Sequence, residues 1–330
     1  MSVASSLPYK LRPNKAADRE IFLSLLNRIN GTLSIENYTY VGLGGPFLED
    51  FRLLHARIGI RNMVCIEVDE NVHKRQKFNK PFDRIDCIHS TIEEYVAETE
   101  FNDPIIIWFD FTDPKEVTNQ IELFSNVLLE LPSYSIMRVT LNANPASLGK
   151  PDPTELAVNR ANGEKTDPTK KTELEWRLDR FRERLSTYCP ADIVPEDLTH
   201  RNYGKTILEA LRLSVENSIL NSSGKRIVWS FATHYSDGQP MVTATLILVE
   251  SDDAAVESVL DNWEFKSNPQ HPLVIDLPAL SALERLTMEA NETSEDDLGF
   301  KLPKSDLKED PFLSFQKYYR IFPQFARVDI

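Results

Sequence analysis

Five short apolar runs alternate with helix-sized segments, and this alternation constrains the fold more than any other feature of the sequence. The runs span residues 38–43, 62–68, 84–89, 104–111 and 135–141. Strands separated by helices pair in parallel through right-handed crossovers. The fourth run, PIIIWFDF, is the most apolar and is therefore expected at the centre of the sheet. The first part of the chain is predicted to be an α/β unit.

The pattern changes after residue 143. Two amphipathic segments, at residues 174–185 and 208–219, predict an inserted helical region, and strands return at residues 227–235 and 241–249. The turn dipeptide Asp237-Gly238 joins those strands so tightly that they must be antiparallel. We divide the chain into an α/β core (1–143), a helical insert (144–226), a closing hairpin (227–250) and a helical, aromatic extension (251–330). The aromatic tail of the extension is expected to dock on the body or on a second subunit.

Composition excludes several classes of protein. Apolar residues make up 41% and charged residues 27%, which supports a sizeable core and excludes global disorder. The net charge of −14 argues against broad binding to nucleic acid or to an anionic membrane. The three cysteines are too few and too scattered for a disulfide scaffold or a cysteine-rich zinc site, and we expect no metal site. No apolar run approaches the roughly 20 residues of a membrane span, so a cytoplasmic location is expected.

Glycines cluster where the first apolar run ends. The chain has only 11 glycines, yet Gly42, Gly44 and Gly45 fall within four residues. Ligands of open α/β sheets bind outside the carboxyl ends of the strands, and glycine lets a ligand approach the backbone. Pro46 then suits the first turn of a helix, whose N-terminus favours negative groups. A purely structural tight turn is the alternative.

The next two strands end in polar groups. Glu67 follows Gly45 by 22 positions, close to the spacing of the acid that binds ribose hydroxyls in nucleotide-binding folds. An ordinary carboxylate at a strand end is the alternative, and Asp69 is interpreted as a helix cap. Ser90 follows the third strand and offers a small hydroxyl to an adenine edge, although serine also begins helices.

Asp110 ends the most apolar strand, at the mouth of the predicted crevice. A carboxylate there could hold the cationic end of a ligand, position a substrate or act as a base. The alternative is a helix cap, a role that better fits Asp113 before Pro114. An amphipathic helix is predicted over residues 14–30, and Lys15 lies in a basic group (Arg12, Lys15 and Arg19) at its start. It is interpreted either as orienting a cofactor carboxylate or an anionic substrate, or as part of a solvated face.

The choice of cofactor depends on the end of the sheet. An antiparallel hairpin that closes a parallel five-strand series is typical of adenosylmethionine-dependent methyltransferases. Dehydrogenases usually continue in parallel and prefer a third glycine three residues after the second. That position here is Phe47. S-adenosylmethionine is therefore favoured over a nicotinamide cofactor.

The sequence also resembles a known family, the bacterial putative O-methyltransferases. The resemblance covers roughly residues 8–145 and is specific in combination. It rests on residues 9–15 (YKLRPNK), 40–46 (YVGLGGP), 49–51 (EDF), 54–55 (LH), 66–69 (IEVD), 75–81 (RQKFNKP) and 108–110 (WFD).

The resemblance implies a Rossmann-like, class I methyltransferase sheet and an adenosylmethionine site. Together with the patterns above, it assigns cofactor binding to Gly42, Gly44, Gly45, Pro46, Glu67, Ser90, Asp110 and Lys15, with Asp110 also the candidate catalytic residue. The expected function is O-directed methyl transfer to an unassigned small-molecule or protein acceptor. A sensor that binds adenosylmethionine or a nucleotide without turnover, and an NAD-dependent oxidoreductase, are the alternatives.

Overall fold

An eight-stranded sheet organises the described part of the chain. A computed structural model describes residues 12–156, 170–220, 224–291, 298–304 and 307–322. The strands of the sheet are β1 (Thr39–Leu43), β2 (Asn62–Glu67), β3 (Ile85–His89), β4 (Ile105–Asp110), β5 (Ile136–Asn142), β6 (Lys225–Ser236), β7 (Pro240–Glu250) and β8 (Leu273–Ile275).

The strand order is β3-β2-β1-β4-β5-β7-β6-β8. Neighbouring strands from β3 through β5 pair in parallel, and β7 is inserted antiparallel between β5 and β6. The predicted α/β sheet of five parallel strands with a closing antiparallel hairpin is therefore confirmed. The sequence analysis missed β8, which pairs in parallel with the far edge of β6.

Helices cover both faces of the sheet. They are α1 (Pro13–Leu33), α2 (Glu49–Ile58), α3 (Glu70–Asn79), α4 (Ile92–Glu98), α5 (Val117–Glu130), α6 (Glu173–Leu185), α7 (Tyr203–Ile219), α8 (Ala255–Leu260), α9 (Ala282–Asn291) and α10 (Pro311–Tyr318). Helices α1, α2, α8 and α10 bury apolar side chains in one core cluster. Helices α5, α6 and α7 build the second cluster on the opposite face. None of the helices in the described ranges is long and apolar enough to cross a membrane.

One predicted boundary is wrong. Pro46 does not begin a helix, because Leu48 adopts a left-handed conformation (φ 52°) and α2 starts only at Glu49. The backbone N–H of Leu48 donates to the carbonyl of Gly45 at 3.2 Å, which closes a turn between β1 and the helix. The glycine turn, which spans residues 44–48, is consequently longer than the sequence pattern indicated.

Several predictions fall partly outside the described residues. The YKLRPNK motif begins before residue 12, and residues 157–169 of the predicted helical insert lie outside the described ranges. Of the aromatic tail, residues 311–322 are described, and their α10 packs on the body of the molecule through Phe312 and Phe315. The proposed division of the chain into four segments stays a prediction.

Candidate functional site

A cleft of about 460 Å³ opens at the carboxyl edge of the parallel strands. This volume lies within the range of about 300–1,000 Å³ that is common for small-molecule sites. The lining comes from the start of α1, the glycine turn, the ends of β2, β4 and β5, and the β6–β7 hairpin. It includes Lys15, Gly44, Gly45, Pro46, Glu67, Asp110, Asn142, Tyr235 and Met241. Six of the eight predicted cofactor-binding residues therefore meet in one cleft, and Gly42 and Ser90 do not.

Helix α3 holds the glycine turn in place. The side-chain amide of Gln76, which is fully buried, donates to the carbonyl of Gly44. The amide of Asn79 donates to the carbonyl of Pro46 at 2.8 Å. Because hydrogen bonds from α3 fix both carbonyls, the backbone of the turn presents a preformed surface to the cleft.

Two glycines are required by packing. A Cβ atom on Gly44 would lie 2.6 Å from Cys65 Sγ, and one on Gly42 would lie 2.5 Å from the Tyr40 hydroxyl. Contacts this short exclude a side chain. Gly42 thus shapes the strand behind the cleft, whereas Gly44 both packs on β2 and lines the cleft.

Glu67 lies at the end of β2, facing the cleft. Its Oε1 accepts a hydrogen bond of 2.9 Å from the backbone N–H of Asp69, and burial raises its pKa. Asp69 caps α3 as predicted, accepting from the N–H groups of Asn71 and Val72. Ser90 is engaged elsewhere, since its hydroxyl donates to Glu94 at 3.0 Å at the start of α4.

Asp110 lies between two cations. Its Oδ2 is 3.4 Å from Lys15 Nζ and 3.4 Å from a terminal nitrogen of Arg19. Burial alone would raise the pKa of Asp110, but Lys15 and Arg19 lower it to about 2. Burial and the neighbouring Arg19 lower the pKa of Lys15. Asp110 is therefore a permanent anion near neutral pH.

A row of buried charges continues behind Asp110. Arg19 also contacts Asp18 (3.1 Å) and Asp50 (3.5 Å), and Arg138 on β5 contacts Asp18 at 2.6 Å. The other oxygen of Asp18 accepts from the hydroxyl of Thr233 at 2.8 Å. Each buried charge is thus paired with an opposite charge, which offsets the free-energy cost of burying it. It also ties α1 to β4 and β5 beneath the cleft.

The ring of Trp108 supports both arginines. The guanidinium carbons of Arg19 and Arg138 lie 4.4 Å and 4.5 Å from its centroid. The indole N–H donates to Thr140 Oγ1 at 3.0 Å. A cation over an aromatic face is attracted by the ring quadrupole, which fixes the orientation of Arg19 and hence of Asp110.

The β6–β7 hairpin positions the first turn of α1. The carboxylate of Asp237 accepts from the backbone N–H groups of Asn14 (3.3 Å) and Lys15 (2.8 Å). The side-chain amide of Asn14 donates to the Ser236 carbonyl at 2.7 Å. These bonds hold Lys15 at the cleft. Burial raises the pKa of Asp237.

Sequence reasoning missed the hairpin's contribution to the site. Three residues of the hairpin line the cleft, namely Tyr235, Gln239 and Met241. They lie about 100 positions after the end of β5 in the sequence. Met241 pairs with Asn142 because β7 runs antiparallel to β5. Because β7 runs antiparallel to β5, it starts at the edge of the sheet where β5 ends. The predicted hairpin could therefore have indicated that these residues lie at the cleft. Asp113 also differs from its predicted cap role, because it accepts from the N–H of Lys115 in a turn that precedes α5.

Comparison with known proteins identifies the family. A protein-family model described as "Putative O-methyltransferase" matches residues 7–330, nearly the whole chain. The chain belongs to this family. The family description names O-directed methyl transfer and no acceptor. No curated protein matches the sequence.

Solved structures resemble the chain only distantly. Trm1 from Pyrococcus horikoshii, in complex with S-adenosyl-L-methionine, has a TM-score of 0.39 and 15% identity over 71% of this chain, and the chain spans 55% of its length. The N-methyltransferase NodS from Bradyrhizobium japonicum WM9 has a TM-score of 0.38 and 9% identity, covering 71% of this chain and 97% of NodS. The plantazolicin methyltransferase BamL, in complex with a triazolic substrate analogue and SAH, has a TM-score of 0.38 and 12% identity, covering 74% and 89%.

The residues present fit S-adenosylmethionine in chemical type. Glu67 offers a carboxylate for ribose hydroxyls, and the glycine turn offers backbone without side chains. Asp110 and Lys15 offer opposite charges, as the ammonium and carboxylate of an amino-acid end require. Within the described ranges, no cluster of three His, Cys, Asp or Glu side chains could hold a metal ion.

Proposed function

We propose that this cleft is the methyl-transfer site, and that Asp110 and Lys15 hold the amino-acid end of S-adenosylmethionine. The supporting observation is the ion pair of Asp110 and Lys15 at 3.4 Å on the cleft wall. Asp110 would accept hydrogen bonds from the cofactor ammonium, and Lys15 would donate to the cofactor carboxylate. Charge-assisted hydrogen bonds of this kind are stronger than neutral ones.

Glu67 and the glycine turn would hold the nucleoside end. The carboxylate of Glu67 would accept hydrogen bonds from the ribose hydroxyls, and Gly44 and Gly45 would allow contact with the backbone. The bound cofactor supplies a methyl group activated by a positively charged sulfur. The work of the protein is then mostly alignment, because an in-line displacement is accelerated chiefly by positioning.

The pKa of Asp110 argues for binding and against a role as base. With a pKa of about 2, Asp110 has little affinity for a proton at neutral pH. We therefore assign Asp110 to cofactor binding and alignment. The acceptor would enter the same cleft, whose lining also includes Thr112, Asn142 and Gln239.

Asp110→Asn tests this assignment, with Asp113→Asn as the matched control. Asp113 lies three positions away and is exposed outside the cleft. Loss of a charged partner costs about 1.5–3 kcal/mol, so Asp110→Asn should weaken S-adenosylmethionine binding by roughly 10- to 150-fold in calorimetry. Asp113→Asn should bind like the unmodified protein. Equal affinities for all three proteins would contradict the proposed role of Asp110.

A further inference from the structure

Two cysteine thiols meet directly behind the glycine turn. Cys65 on β2 and Cys87 on β3 are register partners, and both pack against the same core cluster. Paired strands lie about 4.8 Å apart, and disulfides join Cα atoms that are about 4.4–6.8 Å apart. This pair can therefore be bridged with little movement of the strands.

The two thiols differ in reactivity. A hydrogen bond with Cys65 and the positive charges of Lys80 and Lys77 lower the pKa of the half-buried Cys87 to about 7 despite its burial. The same hydrogen bond and burial raise the pKa of Cys65 well above its usual value. Cys87 is half-buried whereas Cys65 is buried, so a reagent from solvent reaches Cys87 first. The thiolate is the reactive form, so the lowered pKa of Cys87 favours the same order, and Cys65 is placed to react with it.

Cys65 also contacts the wall of the cleft. Cys65 Sγ is packed so closely against Gly44 that a Cβ on Gly44 would lie 2.6 Å from it. Gly44 itself lines the cleft. A displacement of the Cys65 sulfur must therefore alter the packing of the glycine turn.

We propose that Cys87 and Cys65 are a modification site. A hydroperoxide oxidises the two thiols to a reversible disulfide, and this disulfide loosens the glycine turn. The Cys87 thiolate attacks one peroxide oxygen, the O–O bond breaks, and Cys87 becomes a sulfenic acid. The other oxygen leaves, with a proton from solvent, as water or an alcohol. The Cys65 thiol then attacks the Cys87 sulfur, the S–O bond breaks, and water leaves with the Cys65 proton. The two thiols are oxidised by two electrons and the peroxide is reduced.

The disulfide changes the contact with Gly44. An S–S bond of about 2.05 Å draws Cys65 Sγ towards β3 and away from Gly44, against which it is packed. The turn loses this support, so the oxidised protein should bind a ligand on the turn more weakly than the reduced protein. This effect on the ligand rests on the proposed function, whereas the disulfide itself does not.

Peptide mapping of the peroxide-treated protein under non-reducing conditions tests the chemistry. We expect one cross-link, between the peptides of Cys65 and Cys87, which dithiothreitol reverses. Cys87→Ser and Cys65→Ser should each abolish it. Cys189→Ser is the matched control and should retain it, since Cys189 packs against the cluster on the opposite face. A cross-link through Cys189, or over-oxidation of Cys87 without a cross-link, would overturn the proposal.

Hydrogen exchange then tests the link to the turn without any ligand. The Gly44 amide should exchange faster in the oxidised protein than in the reduced one, and Cys87→Ser should show no change on peroxide treatment. Unchanged exchange at Gly44 in the cross-linked protein would refute the coupling. A titration with S-adenosylhomocysteine completes the test. No binding by the reduced protein would count against the proposed function alone, whereas equal binding by both forms would count against the coupling.

Discussion

At the scale of residues, the cleft depends on buried charges that cancel. Lys15, Arg19 and Arg138 face Asp18, Asp50 and Asp110, so three cations balance three carboxylates in a chain of net charge −14. Removing one member of such a set leaves a partner buried without compensation. The row therefore makes the geometry at Asp110 depend on residues that never reach the cleft.

Asp18→Asn should be strongly destabilising. Asp18 is fully buried and contacts Arg138 at 2.6 Å and Arg19 at 3.1 Å. Breaking a buried pair costs about 3–5 kcal/mol, so the free energy of unfolding in urea should fall by that amount. Glu183→Gln is the control, because its pair with Arg180 is exposed and such pairs contribute at most about 1 kcal/mol. Equal effects of the two changes would show that the buried row is not coupled to stability.

The lowered pKa of Asp110 predicts how stability depends on pH. Its pKa is about 2 in the folded chain and about 3.9 in an unfolded one. The folded state therefore gains stability from this group above pH 4 and loses it as the pH falls towards 2, by about 2 kcal/mol. Unfolding of the unmodified protein and of Asp110→Asn, compared from pH 5 to pH 2, should show a stability difference that shrinks over this window. A difference independent of pH would contradict the assigned pKa.

At the scale of elements, the position of α1 is set by a turn more than 200 residues away in sequence. Asp237 in the β6–β7 hairpin accepts from the first N–H groups of α1 and so holds Lys15 at the cleft. The same turn contributes Gln239 to the lining. The hairpin is thus both the end of the sheet and a support for the site.

Asp237→Ala should lower stability and ligand affinity together. Loss of a helix cap costs about 1 kcal/mol, and Lys15 would no longer be held at the cleft. Asp310→Ala is the matched control, since Asp310 caps α10 through the N–H groups of Phe312 and Leu313 and does not line the cleft. Chemical denaturation should show similar losses for both variants. Calorimetry with S-adenosylhomocysteine should show weaker binding for Asp237→Ala only, and equal affinities would refute the role of the hairpin.

Sequence patterns predict the elements whose signal is local. The five parallel strands are continuous apolar runs and the hairpin carries Asp237-Gly238, so all of these were predictable. Strand β8 has only three residues, too few for a period to be recognised. The start of α2 was misplaced because Leu48 adopts a left-handed conformation that is rare for leucine and leaves no signal in the sequence.

In the candidate site, too, only features with a local signal can be predicted from the sequence. Strand-end carboxylates such as Glu67 and Asp110 are visible from spacing alone. The buried partner of Asp18 is not, because Arg138 lies 120 positions away and resembles a polar interruption of an apolar strand. Contacts between distant segments depend on the order of strands in the sheet, and no local pattern encodes them.

At the scale of the whole molecule, the described part of the extension packs into a hydrophobic cluster with helices α1 and α2. Phe315 and Tyr318 of α10 are buried in the cluster that also holds α1 and α2. The hydroxyl of Tyr318 donates to the backbone of β8 at Val274, and Ser314 donates to the carbonyl of Asp276. The described part of the extension therefore covers the same sheet face as the helices around the cleft.

Phe315→Ala should destabilise the entire chain. Removing a buried phenylalanine side chain costs about 3–5 kcal/mol. Leu313→Ala is the control on the same helix, because Leu313 is 67% exposed. Urea unfolding followed by tryptophan fluorescence should show one transition, shifted to lower urea for Phe315→Ala and almost unchanged for Leu313→Ala. A separate early transition, with the main one unshifted, would mean that the extension folds independently.

The most direct test of the account is a calorimetric titration of the purified protein with S-adenosylhomocysteine, with S-adenosylmethionine alongside it and NAD as the control. We expect saturable binding of both sulfur compounds at one site per chain, weakened in Asp110→Asn and absent for NAD. Failure of both sulfur compounds to bind, or binding that Asp110→Asn leaves unchanged, would contradict the placement of the methyl-transfer site in this cleft.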